Sequence, residues 1–212
     1  MNSGLTRAMA APQETSKADA TRARLLAAAV SAFAERGYHA TTTRDIAAAA
    51  GMSPAALYVH HASKEDLLYE IARRGHEEVL AALGAALASG SAASAGAGDP
   101  AAQLRATVYA FAEFHVRSHT SARVINYELA ALTQEHYGEI HAARREIEGT
   151  FRRIIERGIG DGSFDLADAR MPALAIVSLG VDITRWYHPG GFTAGEIAAA
   201  YADMALRIVG AK

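Results

Sequence analysis

The segment that decides the fold is residues 41–68, TTTRDIAAAAGMSPAALYVHHASKEDLL. Thr42 and Asp45 have the spacing of a capping box, which predicts that a helix begins there and ends at the glycine. Ser53 is a good N-cap and Pro54 suits the first helical position, so a second, shorter helix is predicted to follow. Two helices joined by a short turn with glycine are typical of a helix-turn-helix, whose second helix enters the major groove of DNA.

The same segment resembles the DNA-binding signature of the TetR family of bacterial regulators. The pattern T-T-x-R-D-I-A-x-x-A-G-x-S-x-x-x-L-Y-x-H-x-x-S-K-E-x-L matches in order and without gaps, and the preceding residues 33–38, FAERGY, also fit. The resemblance implies a homodimer that binds palindromic double-stranded operator DNA and releases it when a small-molecule effector binds. Repression is the family norm, whereas the residues themselves leave repression and activation open.

The resemblance and side-chain chemistry together place the DNA contacts on Thr43, Arg44, Ser53, Pro54, Ala55, Ala56, Tyr58, His60 and Lys64. Arg44 lies at the start of a predicted helix, where it can pair with a phosphate or reach a guanine edge. Ala55 and its neighbours offer only apolar contact, for example with thymine methyl groups. Tyr58 and Lys64 are expected on phosphates, which position the protein without specifying sequence. Packing of Tyr58 against the preceding helix is the alternative.

Two positions depart from the family pattern. Val59 stands where the family often has a second tyrosine, so one hydroxyl for a phosphate is missing. His61 stands where an aromatic residue, often phenylalanine, is usual. We expect His61 to be a partly exposed substitute without a special role.

Composition and periodicity predict an all-α fold of about nine helices. Hydrophobic residues make up 50% of the chain, alanine is the best helix former, and no strand pattern is convincing. We expect a flexible N-terminal arm (1–18), a three-helix DNA-binding domain (19–65) and a helical domain for effector binding and dimerisation (66–212). A low-complexity segment at 88–99 predicts a loop. Later helices are expected at 100–119, 121–133, 134–157, 168–187 and 193–210.

Composition also excludes several classes of protein. The chain has no cysteine, which excludes disulfides and thiolate zinc sites. The N-terminus lacks the apolar core of a signal peptide, and the most apolar stretch, 171–181, is too short to span a bilayer. A cytoplasmic protein without membrane contact is therefore expected. Net charge is −2, but residues 1–75 hold nine basic and seven acidic side chains, a weak positive excess where DNA contact is predicted.

The last two predicted helices carry apolar residues on several sides, which indicates burial on several sides. Two such helices from each subunit can form a four-helix dimer interface. Ordinary core within one chain is the alternative. The predicted interface residues are Leu174, Val177, Val181, Ile197, Tyr201, Met204 and Ile208.

Four segments of the C-terminal half resemble the TetR-type regulators that control lipid and sterol catabolism and respond to acyl-CoA thioesters. They are 114–117 (FHVR), 126–129 (NYEL), 143–155 (ARREIEGTFRRII) and 185–191 (RWYHPGG). The resemblance implies an apolar tunnel for the acyl part and cations for the CoA phosphates. The candidate ligand contacts are Phe111, Phe114, His115, Arg123, Tyr127, Arg153, Arg185 and Trp186.

These candidates also have simpler interpretations. The aromatic residues can be ordinary core. A spacing of four residues predicts solvated helix pairs of Glu148 with Arg144 and with Arg152.

Other functions stay open as alternatives. An enzyme acting on acyl-CoA is poorly supported, because nucleophile-elbow, P-loop and dinucleotide-binding motifs are absent, and no catalytic residue or cofactor is predicted. We predict no metal site; a metal-sensing regulator would use His115 and His119, which share a helix face. A sensor of a drug or another hydrophobic metabolite on the same fold is a further alternative. An architectural DNA binder would need a broad basic surface, which this charge balance does not supply.

Overall fold

Nine α-helices and one short 3₁₀ turn account for most of the chain in a computed structural model that describes residues 17–92 and 98–212. The helices are α1 (Lys17–Arg36), α2 (Thr43–Ala49), α3 (Pro54–His60), α4 (Lys64–Ala92), α5 (Pro100–Arg117), α6 (His119–Glu128), α7 (Gln134–Gly160), α8 (Arg170–Trp186) and α9 (Ala194–Ile208). The 3₁₀ turn, Leu129–Ala131, follows α6. An isolated bridge joins Phe164 and Ala211 without forming a sheet. The all-α prediction is confirmed.

The helix ends follow the predicted caps. Thr42 and Asp45 complete the capping box at α2, and Thr193 completes a second box with Glu196 at α9. Gly51 closes the turn between α2 and α3 with a φ of +67°, a left-handed conformation that favours glycine. These local signals fix the length of the turn and hence the direction in which α3 leaves it.

One apolar core lies among α1, α2, α3 and the start of α4, and α6, the 3₁₀ turn and the start of α7 also contribute buried residues to it. Its fully buried side chains include Leu25, Ile46, Leu57 and Leu67. Each comes from a different helix, so Leu57 anchors α3 in a core to which the other three helices also contribute. Because α3 has only seven residues, a length at which an isolated helix is unstable in water, this packing is what keeps it folded.

The long helix α4 joins this core to a second one. Its first turns bury Leu67 and Ile71 in the first core, and its later turns bury Val79 and Leu83 in the second. A helix of 29 residues is about 44 Å long at 1.5 Å per residue. The same helix therefore contributes side chains to both cores.

Helix α5 lies at the centre of the second core, where it packs against α4, α7, α8 and α9. Phe111 on α5 is buried beside Phe151 of α7, with ring centroids 5.3 Å apart. Gly180 lets α8 approach closely, since a Cβ atom there would lie 2.5 Å from the Phe111 ring. The Phe111 ring therefore occupies space that is free because residue 180 is a glycine.

Several predicted boundaries need correction. Helix α1 begins at Lys17, so the last two residues of the expected arm are helical, and 1–16 lie outside the described residues. The loop expected at 88–99 begins late, because α4 continues to Ala92; 93–97 also lie outside. The helix expected at 121–133 is α6, which ends at Glu128. It ends earlier because the chain must turn before Thr133, whose side chain caps α7 by accepting from the amide of His136.

No helix in the described parts of the chain is long and apolar enough to cross a membrane.

Candidate DNA-reading surface and ligand pocket

The start of α3 forms the first candidate site. The Ser53 hydroxyl accepts a hydrogen bond from the Ala56 amide at 3.2 Å, which fixes the first turn of the helix. Leu57 faces the core, whereas Pro54 and Ala55 are exposed. The helix therefore presents its N-terminal side chains to solvent, as a helix that enters a major groove must.

A pair of hydroxyls lies beside this helix. The Tyr58 hydroxyl and Thr43 Oγ1 are 3.0 Å apart, and 54% of Tyr58 is exposed. That exposure disfavours the alternative in which Tyr58 packs against α1. Arg44, next in sequence to Thr43, is exposed as well. Two hydroxyls and a guanidinium thus lie where the resemblance places phosphate contacts.

Lys64 is held by the protein itself. Its Nζ donates to the carbonyls of Tyr38 and Thr41, each at 2.8 Å, and lies 4.2 Å from the centroid of the Tyr38 ring. An ammonium has three N–H donors, so one remains for a phosphate. The predicted DNA contact of Lys64 thus requires the ammonium to bridge the α1–α2 connection and the DNA. His60, also predicted to contact DNA, is half-buried at the end of α3.

The expectation that His61 is partly exposed was wrong. Only 4% of the residue is exposed, because the ring occupies the apolar position where the family has an aromatic residue. Its Nδ1 lies 3.1 Å from Asp66 Oδ2, and within the described residues its buried Nε2 has no partner. Burial lowers the pKa of His61, against the opposing effect of Asp66, so the neutral ring is favoured.

A cavity of about 190 Å³ between α4, α5, α6, α7 and α8 is the second candidate site. Apolar side chains make up most of its wall: Val79, Phe111, Phe114, Ile125, Ile147, Val177 and Val181. Its polar lining consists of His76, His115, Asn126, Arg144 and Ser178. An apolar wall with a few convergent polar groups is typical of a small-molecule site.

The residues predicted to contact the ligand lie in different parts of the structure. Phe111, Phe114 and His115 line the cavity. Arg123, Tyr127 and Arg185 lie instead on a separate, open groove that α1 shares with α6 and α8. The remaining two are exposed on the surface: Arg153, which donates to Thr150 Oγ1 at 3.2 Å, and Trp186. The structure therefore brings together the α5 candidates but not the predicted arginines.

Sequence reasoning missed the polar end of the cavity. The Arg144 guanidinium donates to Asn126 Oδ1 at 2.7 Å and to His76 Nε2 at 3.3 Å. The expected pair of Arg144 with Glu148 is absent among the described ion pairs, whereas the Glu148–Arg152 pair forms at 3.5 Å. Asn126 and Arg144 both lie in segments that carry the acyl-CoA-type resemblance, which was the available signal.

Burial and hydrogen bonding favour the neutral form of both histidines of the cavity. The Nδ1 of His76 lies 2.7 Å from the Ala72 carbonyl, and that of His115 lies 2.8 Å from the Phe111 carbonyl. Since a carbonyl only accepts, each Nδ1 carries the proton and each Nε2 is an acceptor. Burial lowers the pKa of His76 and lowers the pKa of His115 to about 4.

These histidines predict a loss of stability in mild acid. A histidine with a lowered pKa in the folded state stabilises the fold fully above its unfolded pKa of about 6.5, and this contribution is lost as pH falls toward the folded value. For His115, with a pKa of about 4, lowering the pH from 7.5 to 5.5 is expected to cost about 1.4 kcal/mol. Melting temperatures measured across this range should fall accordingly.

The His115→Gln variant should show a shallower pH dependence than wild type. His188→Gln is the control, because His188 is exposed and its loss should leave the pH dependence unchanged. Equal slopes for wild type and His115→Gln would show that His115 is not neutral in the folded protein.

The predicted interface residues are unevenly exposed. Leu174 is 49% and Met204 40% exposed, whereas Tyr201 and Ile208 are half-buried. Ile197 is only 4% exposed, because it packs in the chain's own core against α5 and α8, so little of it is left for a partner. Val177 and Val181 line the cavity, which gives both a role within the chain.

The two histidines that a metal-sensing regulator would use are hydrogen-bonded to backbone carbonyls. His115 and His119 each place Nδ1 within hydrogen-bond distance of a carbonyl, of Phe111 and Val116 respectively. Over residues 17–92 and 98–212, no three His, Cys, Asp or Glu side chains come together as a metal site would need.

This geometry defines a helix-turn-helix regulator whose helical C-terminal domain encloses a cavity. Residues 25–71 match the family described as bacterial regulatory proteins, tetR family, and residues 97–209 match the tetracyclin repressor-like C-terminal domain. The chain belongs to the TetR family of transcriptional regulators, which are not enzymes.

Three known proteins illustrate the similarity. The transcriptional repressor KstR2 of Rhodococcus jostii is 32% identical over 201 residues, covering 91% of this chain and 93% of KstR2. A tetR-family regulatory protein from Rhodococcus RHA1 is 44% identical, with a TM-score of 0.83 over 93% of this chain and 100% of that one. AibR, described in complex with isovaleryl coenzyme A and operator DNA, has a TM-score of 0.74 at 24% identity over 91% and 100%, a likeness of fold alone.

Proposed function

We propose that this protein is a dimeric repressor that binds a palindromic operator and is released from it by an acyl-CoA thioester. Membership of the TetR family supports binding to operator DNA. The similarity to KstR2, which is a repressor, supports repression. The observation that carries the proposal is the shared helix α4, which packs in the core of the DNA-binding helices and also lines the cavity.

The two hydroxyls and Arg44 support the DNA-binding part. The Thr43 and Tyr58 hydroxyls lie 3.0 Å apart, where one donates to the other. The hydroxyl that accepts keeps its own proton and can donate it to a phosphate oxygen. Arg44 adds a charge-assisted contact. The small side chains at the start of α3 then bring the backbone close to the base edges.

Exposed apolar side chains on α8 and α9 support the dimer. Met171 is 70% exposed and lies one turn from Leu174, and Met204 is exposed on α9. A face of this kind is stabilised by burial against a second copy. A symmetric pair would hold two α3 helices for successive major grooves, about 34–36 Å apart.

The effector part rests on the cavity. A ligand that fills it contacts α4 through His76 and Val79, so binding can favour a different tilt of α4 and a different spacing of the two α3 helices. The resemblance of segments 114–117, 126–129, 143–155 and 185–191 supports a CoA ester. AibR, described with isovaleryl coenzyme A, supports the capacity of this fold to hold a short-chain CoA ester.

Binding to DNA from upstream of its own gene tests the proposal. A gel shift should show a complex of two chains per duplex, and short-chain acyl-CoA esters should dissociate it, since they favour the released state. Sedimentation of the complex checks the stoichiometry. A complex that dissociates only with zinc, or only with uncharged hydrophobic compounds, would support the alternative sensors instead. A monomer that ignores every palindromic duplex would contradict the whole proposal.

A further inference from the structure

Arg144 is an unusual residue to find in the wall of an apolar cavity. It is half-buried on α7, and burial lowers its pKa, although a guanidinium remains charged. In the described parts of the chain, no carboxylate lies within ion-pair distance of Arg144, and no aspartate or glutamate lines the cavity. The protein therefore holds a partly desolvated cation without supplying its counter-ion.

The neighbours of Arg144 orient it without neutralising it. Asn126 and His76 are both neutral and both accept from the guanidinium. A guanidinium has five N–H donors, and these two bonds leave donors for another acceptor. A buried charge is costly unless it is paired, so an anion entering the cavity would gain from a charge that is already in place.

The size of the cavity limits which part of a ligand can reach Arg144. A cavity of about 190 Å³ is slightly larger than one of about 150 Å³ that holds a benzene molecule. It accepts a short acyl group but not the nucleotide of coenzyme A. Because Arg144 lines this cavity, the group that meets it is taken to be part of the ligand that enters the cavity and not the CoA nucleotide.

We propose that the effector carries a carboxylate at its buried end, on a short apolar skeleton, and that Arg144 binds this carboxylate. Planar guanidinium and carboxylate groups can form two parallel hydrogen bonds, while Phe111 and Ile147 pack on the skeleton. The inference rests on the proposed function in taking this cavity as the effector site. Two sources have this chemistry: the CoA monothioester of a dicarboxylic acid and a free carboxylic acid.

Ligands of equal chain length separate these sources. Glutaryl-CoA has a free carboxylate and a thioester, valeryl-CoA has only the thioester, and free valerate has only the carboxylate. For each, the shift in melting temperature and the release of operator DNA are measured on the full chain. We expect a carboxylate-bearing probe to bind at least 10-fold more tightly than valeryl-CoA.

The outcomes distinguish the two proposals. Preference for glutaryl-CoA supports both. Binding of valerate but of neither CoA ester supports the carboxylate and contradicts the CoA ester in the proposed function. If valeryl-CoA binds as tightly as glutaryl-CoA, the proposed function is unaffected but the proposal of a carboxylate on the effector is overturned. The proposal of a carboxylate is also wrong if no three- to six-carbon carboxylate, free or as a CoA monoester, changes the melting temperature or releases operator DNA.

Matched variants assign the effect to one side chain. Arg144→Gln should remove the preference for the carboxylate probe, a loss of about 10- to 100-fold in its affinity, and Arg144→Lys should retain part of it. Arg145→Gln is the control, because the neighbouring Arg145 is exposed and bonds to His141. An unchanged preference in a folded Arg144→Gln protein would overturn the assignment, and the wild-type comparison stands even if that variant does not fold.

Discussion

Arg44→Ala is expected to weaken operator binding by about 100-fold or more. The side chain is exposed at the start of α2 and forms no ion pair in the described part of the chain, so its removal leaves the fold intact. A charge-assisted hydrogen bond contributes about 1.5–3 kcal/mol, and a dimer loses two of them. Since 1.4 kcal/mol corresponds to a factor of 10, the loss spans about two to four orders of magnitude. Fluorescence anisotropy with a labelled operator duplex at fixed salt measures it.

Two further variants are compared with Arg44→Ala. Tyr58→Phe removes only the hydroxyl that faces Thr43 at 3.0 Å and should have a smaller effect than Arg44→Ala. Arg145→Ala removes the same charge from an exposed site on α7 and should bind like wild type. Salt dependence should become shallower for Arg44→Ala, because two fewer phosphates per dimer are neutralised. Wild-type affinity in Arg44→Ala would show that α2 does not contact DNA as proposed.

The DNA-binding half was largely predictable because its signals are local. The capping box at α2, the proline at the start of α3 and the left-handed Gly51 each act within a few residues. His61 was the exception, since its burial depends on how α3 packs beside α4. A pattern within one segment does not reveal which neighbour will cover a side chain.

The cavity was harder to predict because its polar end joins distant parts of the chain. Arg144 contacts His76 across 68 positions and Asn126 across 18. Spacing along α7 favoured the pair with Glu148, whereas tertiary packing turned Arg144 inward. The same limitation explains why Arg123 and Arg185, chosen for charge, lie on a different groove.

Gly180→Ala is expected to lower both stability and ligand response. An added Cβ would meet Phe111 at 2.5 Å, so the ring must move. Phe151 blocks one direction, since it is fully buried against Phe111, whereas the cavity is open to the ring. Overpacking of this kind costs about 1–3 kcal/mol, and a displaced ring would occupy part of a cavity of about 190 Å³.

Thermal unfolding and effector titration test the two effects separately. Gly138→Ala is the matched control, because this glycine is also within a helix but nothing lies within 4 Å of an added Cβ. There alanine should stabilise by up to about 1 kcal/mol through helix propensity alone. A Gly180→Ala protein that is stabilised like the control and responds normally to ligand would show that Phe111 has room to move elsewhere. A destabilised protein with roughly 10-fold weaker ligand response would place the effector against Phe111, since a loss of ~1.4 kcal/mol in binding corresponds to that factor.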